Sequence, residues 1–278
     1  MANMRIIYDN AANRAAVTAS SSVGALVPAN LQIDLKSVVW RSAAAAAGAT
    51  PTARLDLAWP AAETIAAVAL AYCNLTSQAQ MRVTGSLDGW KTLSLDSGWM
   101  SPCPAPAAVP AGGLGANTFA YGAGSMARAW LAAPAAATAL RIEITDPGNP
   151  GSYIEASRVI CGGYWQPVDN FDYGMSVQPV DASKNFRNDA GDLMSDVGAR
   201  SDKLSIPMGS LAQVDRAALL RILRGNGITR PVFVSLFPAY SDVLLERDHQ
   251  LYGKLVETPA MTMPSYNIAA ATLQIESV

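Results

Sequence analysis

The chain has 278 residues, of which 15% are charged, and its 20 Lys and Arg nearly balance its 22 Asp and Glu. It has no block of basic residues, which excludes the charge pattern of a nucleic-acid-binding protein, and no run of about eighteen apolar residues, so we expect no membrane span. Because the first residues contain no apolar segment of the secretory type, we expect synthesis in a cytoplasm.

Apolar residues at every second position dominate the first two thirds of the chain. The pattern occurs in residues 54–59, 67–72 and 140–145. In the first segment the apolar side chains point to one side and those of Arg54 and Asp56 to the other, as in a half-buried strand. Short strands separated by turn residues favour a β-sandwich. The tryptophans that we predict to lie in its core are Trp40 and Trp59.

Four short motifs follow one another between residues 39 and 88. They are Val39-Trp40-Arg41-Ser42, the strand 54–59, the turn Asn74-Leu75-Thr76 and the strand 81–88. This succession resembles the discoidin-like, galactose-binding-like domains found in tail proteins of bacteriophages. The resemblance implies a jelly-roll β-sandwich over residues 1–163, and such a domain binds ligands and seldom catalyses. Domains of this type often hold a structural calcium ion, which the sequence does not locate, and we expect no cofactor.

Residues 97–134 are rich in Pro, Gly and Ala and are predicted to form one long loop. Loops of this length are usually functional surfaces or irregular excursions. The glycines do not lead into the Gly-Lys-Ser/Thr ending of a phosphate-binding loop. We therefore expect a segment that either binds a ligand or packs in an interface with a partner.

The pattern changes near residue 164, and the sequence predicts a second, smaller, β-rich domain over residues 164–278. A strand at 203–208 precedes the strongest amphipathic helix of the chain, at about 211–224, for which Ser210 is the predicted N-cap. Either Gly225 or Gly227 is expected to end this helix. A strand that is apolar on both faces follows at 231–237. The predicted buried stripe of the helix consists of Leu211, Val214, Ala218 and Ile222.

The second half also resembles phage proteins. Residues 158–167 and 203–234 repeat the order of motifs in tail-tip, minor tail and distal-tail proteins that carry a discoidin-like N-terminal domain. The resemblance implies a virion protein of the tail tip or baseplate, made in the host cytoplasm. It also implies a homo-oligomer around the tail axis that contacts other phage tail proteins through its second domain.

An enzyme is the rival class, and the sequence speaks against it. The single histidine, His249, lies in a polar stretch that we expect to be solvated, and no Gly-x-Ser-x-Gly motif is present. A glycosidase needs two carboxylates, but the candidate pair Asp56 and Glu143 is predicted on solvent-facing sides of strands. No Asp-rich segment has the spacing of a calcium-binding loop. The three cysteines are expected to be small buried side chains without metal or redox roles: Cys73, Cys103 and Cys161.

Aromatic residues are the remaining candidates for a site, because sugars stack their C–H faces on Trp and Tyr. Trp90, Trp99 and Tyr121 lie near turns or in the glycine-rich segment and are predicted to bind a host cell-surface saccharide. The alternative is that they anchor the core or an interface. We therefore expect a structural virion protein that contributes to host attachment. The alternatives are a free carbohydrate-binding protein and, less favoured, a glycan depolymerase.

Overall fold

The computed structural model describes residues 3–103 and 125–278. They form two compact units. The first unit consists of the residues up to Gln166 together with Val232–Gln250, and the second of Pro167–Pro231 with Leu251–Val278. The division drawn from the sequence at residue 164 assigns residues 232–250 to the second domain. In the structure they join the first unit, because a strand within them pairs with the first strand of the chain.

The described residues contain seventeen strands and two α-helices. The strands are, in chain order, β1 Arg5–Ile7, β2 Ala16–Ala19, β3 Trp40–Arg41, β4 Thr52–Cys73, β5 Gln80–Ser86, β6 Leu95–Met100, β7 Ser125–Thr145, β8 Glu155–Ala156, β9 Arg158–Gly162, β10 Ser176–Asp181, β11 Lys184–Arg187, β12 Leu193–Asp196, β13 Arg200–Leu211, β14 Val232–Ser235, β15 Gln250–Leu255, β16 Thr262–Ser265 and β17 Ile268–Ser277. The α-helices are α1 Gln213–Asn226 and α2 Val243–Asp248, and Ala11–Arg14 and Pro28–Gln32 form short 3-10 helices.

The main sheet of the first unit has the strand order β2-β4-β7-β5-β6, and β9 also pairs with β4. The long antiparallel strands β4 and β7 shift register between Ala58 and Glu63 and between Ile65 and Ala67. Such bulges bend a strand, so each long strand can line two sides of one core. β3 and β8 form a separate two-stranded sheet. The predicted mainly β fold, a β-sandwich followed by a further β-rich sheet, is confirmed.

The alternation read from the sequence matches the burial in residues 54–59 and 140–145, whereas residues 65–71 are buried on both sides of their strand. Trp40 has no exposed surface, and the three cysteines are free and buried, as predicted. Tyr72, which continues the alternation of Val68 and Leu70 in the sequence, is half-buried with φ of 52°. The alternating positions that are buried in the structure are Leu55, Leu57, Trp59, Val68, Leu70, Leu140, Ile142 and Ile144.

The prediction of one loop over residues 97–134 is wrong for the described part of that segment. Residues 97–100 belong to β6, and residues 125–134 belong to β7. Here Ala129 lies opposite Val68 and Ala127 opposite Leu70, so backbone pairing with β4 decides the conformation. Alanine is depleted in strands and leaves no alternating signal, which explains the error.

The second unit contains a sheet in the order β15-β17-β13-β10, with β16 on β17, and the helix α1. The helix is confirmed, but Ser210 is not its N-cap. Ser210 lies in β13, and Ala212 occupies the N-cap position without a side-chain hydrogen bond. Gly227 ends the helix with φ of 53°. The predicted stripe is partly wrong, because Val214 faces outward. The buried apolar residues of α1 are Leu219, Ile222 and Leu223.

The returning segment 232–250 completes the first unit. All four residues of β14 are buried, as the sequence predicts for a strand that is apolar on both faces. β14 pairs with β1, and Val234 lies opposite Ile6. Within the described residues, no helix has the length and apolarity needed to cross a membrane.

Candidate functional site

Trp99 is the exposed aromatic residue of the main sheet that meets the demands of a stacking site. It lies on β6, which ends the strand order of this sheet, and 52% of its surface is exposed. Its register partner on β5 is Arg82. Because directly opposed residues of an antiparallel pair leave the sheet on the same side, the indole and the guanidinium share one face. The neighbouring Met100 is paired with Met81 and turns toward the core.

This side of the sheet is a continuous polar surface across three further strands. The register pairs Arg82 with Glu143 and Glu143 with Arg54, and two residues away it pairs Arg141 with Asp56. All alternate with buried residues along their strands. We call this surface the outer face. It is defined by Arg54, Asp56, Arg82, Trp99, Arg141 and Glu143.

Ion pairs hold the charged groups of the outer face in place. Asp56 accepts hydrogen bonds or ion-pair contacts from Arg141 at 2.7 Å and from Arg54 at 3.0 Å. Arg82 binds Asp96 through both nitrogens of its guanidinium fork, at 3.0 and 2.6 Å. This hydrogen bond is the main reason why the pKa of Asp96 falls to about 2, and the N–H of Gly98 adds to the effect. The Asp96 carboxylate is therefore an ionised acceptor at neutral pH, beside the fixed donors of Arg82.

Trp90 lies in the loop between β5 and β6, which is fastened by Asp88. The Asp88 carboxylate accepts from the N–H and hydroxyl groups of Thr92, at 3.0 and 2.7 Å, and from the hydroxyl of Ser86 at 2.9 Å. These donors lower the pKa of Asp88 to about 2. The Ser86 hydroxyl in turn accepts the Trp90 N–H at 2.9 Å. Trp90 adopts φ of 71°, which a bulky residue rarely does, so the loop conformation is maintained by this network.

The two tryptophans border the outer face in different ways. The guanidinium of Arg141 lies over the half-buried Trp90 ring, 4.5 Å from its centroid, so one face of that ring is already occupied. Trp99 is the more exposed of the two and lies beside Arg82 on the edge strand. Both tryptophans thus border the outer face, Trp90 at Arg141 and Trp99 at Arg82, and Trp99 is the more exposed ring. The third predicted residue, Tyr121, lies outside the described residues.

The arginines of the outer face are the site residues that sequence reasoning missed. Alternation along 140–145 places Arg141 on the polar side of its strand, but the sequence does not reveal which strand lies next to it. Only the pairing of β5 with β7 and of β7 with β4 shows that Arg82, Arg141 and Arg54 meet on one face. The available signal was a charged residue at the solvent-facing position of each of three strands.

The structure also places the residues that the sequence analysis considered for catalysis or metal binding. His249 was expected to be solvated, but it is half-buried: its ring packs edge-on against Phe237 with centroids 5.2 Å apart, and Nδ1 lies 2.8 Å from the carbonyl oxygen of Leu245. Asp56 is engaged by two arginines on the outer face. Within residues 3–103 and 125–278, no group of three or more His, Cys, Asp or Glu side chains is placed to hold a metal ion.

Comparison with known proteins gives structural similarity only. No protein-family model matches the sequence, and no curated protein matches it significantly. A family 32 carbohydrate-binding module of Clostridium perfringens NanJ, solved in complex with galactose, has 12% identity and a TM-score of 0.37 over 58% of this chain and 99% of that chain. Chitosan-binding module 1 from a chitosanase/glucanase of Paenibacillus sp. IK-5 has 15% identity and a TM-score of 0.38, over 56% and 99%.

A third similar structure is the module CpGH89CBM32-5 from Clostridium perfringens, in complex with GalNAc-β-1,3-galactose. It has 10% identity and a TM-score of 0.39, over 56% of this chain and 100% of that chain. With TM-scores below 0.5 and identities this low, these matches carry no argument about what this chain binds. The fold assignment rests on the strands and their pairing.

Proposed function

We propose that this chain is a non-enzymatic binding protein whose first unit recognises a saccharide on the outer face. The observation that carries the proposal is the position of Trp99, an exposed indole beside the paired guanidinium of Arg82 on a rigid sheet. Sugars need an apolar platform for their C–H faces and directional groups for their hydroxyls. Trp99 supplies the platform, and Arg82, Asp96 and Glu143 supply donors and acceptors around it.

The protonation state of Asp96 favours sugar binding over catalysis. The carboxylate of Asp96 is hydrogen-bonded to Arg82 and has a lowered pKa, so it accepts hydrogen bonds but is a poor proton donor at neutral pH. A glycosidase needs one carboxyl group that is protonated when the substrate arrives. The state of Asp96 supports a role in holding a sugar and not that of the acid of a glycosidase.

The test is binding of the full chain to a glycan array that includes galactose-terminated oligosaccharides, followed by titration calorimetry with the glycan retained. We expect Trp99→Ala to weaken the affinity about tenfold or more, which matches the loss of one stacked ring. Tyr266→Ala removes another exposed aromatic side chain, in the second unit, and should leave the affinity unchanged. Equal affinity of the Trp99 variant, or no retained glycan, would refute the proposal.

The setting that we propose for this recognition is the virion: a structural component of the tail tip or baseplate of a tailed phage, present as a homo-oligomer and in contact with other tail proteins. The support is the order of motifs in residues 39–88, 158–167 and 203–234. Mass spectrometry of purified virions, with antibody labelling viewed by electron microscopy, should detect the chain at the tail tip. Its absence from virions would favour a free carbohydrate-binding protein, and release of sugars from the bound glycan would favour a depolymerase.

A further inference from the structure

The second unit carries a hairpin whose apolar side chains are exposed. Strands β11 and β12 pair only with each other among the described residues, and every residue of both strands is exposed. Phe186 and Met194 are register partners, and Phe186 is 54% exposed. Leu193 and Val197 are exposed as well, Val197 by 80%. We call residues 184–197 the apolar hairpin.

Such a hairpin is unfavourable in water on its own. Two-stranded hairpins are at best marginally stable, and large apolar side chains exposed on both faces of one, with Phe186 and Met194 on one face and Leu193 on the other, are unusual for a surface that stays solvated. Its turn and second strand also carry three acidic residues, and none of them forms an ion pair with another described residue. They are Asp189, Asp192 and Asp196. The two basic residues, Lys184 and Arg187, lie on the first strand.

The outward side of α1 in the same unit is basic, whereas the apolar hairpin carries three acidic and two basic residues. Val214 is 65% exposed, and Ala217, Arg221 and Arg224 follow it at helical spacing, all exposed. A shallow depression on this side of the helix is lined by Arg216, Ala217, Leu220, Arg221 and Arg224. We call Val214, Ala217, Leu220, Arg221 and Arg224 the helix patch.

The cations of the helix patch lack an ion-pair partner in the part of the chain that the structure describes. Among the described residues, neither Arg221 nor Arg224 forms an ion pair. Arg216, at the rim, has a buried Nε without a hydrogen-bond partner in the part of the chain that is described, although its Nη1 contacts the Met263 sulfur at 3.9 Å. A buried donor of this kind is costly unless an acceptor arrives from outside.

We propose that the apolar hairpin of one copy of this chain docks on the helix patch of a second copy. The two surfaces match in kind: exposed apolar side chains with carboxylates on one, and exposed apolar side chains with guanidinium groups on the other. Opposite charges on the two surfaces give the contact its orientation, and burial of the apolar side chains stabilises it. Apart from the half-buried Leu220, the residues of both surfaces that the argument uses are exposed within a single copy, so a second copy can reach them.

The symmetry of this contact follows from its two different halves. Because the hairpin meets the helix patch and not another hairpin, the contact is heterologous, and repetition closes a ring or extends a filament. The inference deepens the proposed homo-oligomer by naming its contact surfaces, and it rests on that part of the proposed function. Saccharide binding through Trp99 is independent of it, so the two can fail separately.

The experiment uses charge reversal in the full chain, with mass measured by light scattering after size exclusion at low salt. Arg221→Glu with Arg224→Glu forms the helix variant, and Asp189→Arg with Asp196→Arg forms the hairpin variant. Each variant alone should associate at least about tenfold more weakly than the unaltered chain, because like charges then face each other. Lys91→Glu reverses an exposed charge in the first unit and should associate normally.

Mixing the two variants is the decisive measurement. The reversed hairpin carries positive charge and fits the reversed helix patch, and the two unaltered surfaces still fit each other, so an equimolar mixture should recover association. Glycan binding should stay unchanged in every variant. A chain that is monomeric at its highest soluble concentration, an oligomer that both variants leave intact, or dissociation that mixing does not reverse would each overturn the proposal.

Discussion

The guanidinium of Arg141 lies over the indole ring of Trp90, 4.5 Å from its centroid. The same guanidinium donates from Nε to Asp56 on β4 at 2.7 Å. One side chain therefore links the middle of the sheet to the loop that carries Trp90. The guanidinium covers one face of the Trp90 ring, whereas Trp99 has no such cover among the described residues and is the more exposed ring.

The link predicts different effects for the two tryptophans. Trp90→Ala should lower the free energy of unfolding by about 1 kcal/mol or more, since it removes a cation–π contact and a partly buried ring. Trp99→Ala should change it by less than about 0.5 kcal/mol, because the ring is exposed. Urea denaturation followed by circular dichroism measures both. A larger loss for the Trp99 variant would contradict the assignment of Trp99 as the free stacking surface.

The loop carrying Trp90 should resist acid because Asp88 stays ionised. Its folded pKa is about 2, below the unfolded value of about 4, so ionised Asp88 stabilises the fold above pH about 4. That contribution is lost as the pH falls from about 4 through about 2. NMR titration of the Asp88 carboxyl carbon should show the low pKa.

The Thr92→Val variant provides the control for this titration. It removes the hydroxyl donor and keeps the backbone N–H, so the pKa of Asp88 should move up toward its usual range. The exchange is close to isosteric, and the loop keeps its remaining hydrogen bonds. A wild-type Asp88 that titrates near its usual value would show that the network around the loop is not formed in solution.

Alternation along single strands was readable from the sequence, whereas relations between strands were not. Leu55, Leu57 and Trp59 are predictable core residues because period two fixes one buried side. The position of Trp99 opposite Arg82 depends on which strands pair and in which register. Asp88-Gly89 indicates a turn between the two strands, but the register is also shifted between Arg82 and Thr84, which the sequence does not reveal. The same holds for the helix α1. Val214 has the spacing of a buried stripe, but the spacing does not show which side of the helix packs on the sheet, and Val214 is exposed.

The cysteines should be unreactive in the native protein. Burial raises the pKa of the Cys161 thiol to about 12, so almost none of it is thiolate at neutral pH, and thiolate is the nucleophile. Ellman's reagent should label none of the three thiols rapidly without denaturant and all of them in guanidinium chloride. A Lys91→Cys variant places an exposed thiol on the same chain and should label at once. Fast native labelling of Cys161 would contradict its burial.

The last prediction concerns the buried ion pair that fastens α2 within the first unit. Glu246 is 1% exposed, and it accepts from Arg128 at 2.5 Å and from the Trp130 indole N–H at 2.9 Å. Glu246→Ala leaves the Arg128 guanidinium, whose side chain is only 10% exposed, without its counter-charge. We expect a loss of about 3–5 kcal/mol in the free energy of unfolding.

Replacing both partners, as Arg128→Met with Glu246→Met, should cost less than Glu246→Ala alone, because no buried charge is then left unpaired. Urea denaturation of the single and double variants measures this difference, and a double variant as unstable as the sum of its parts would show that the pair is not coupled.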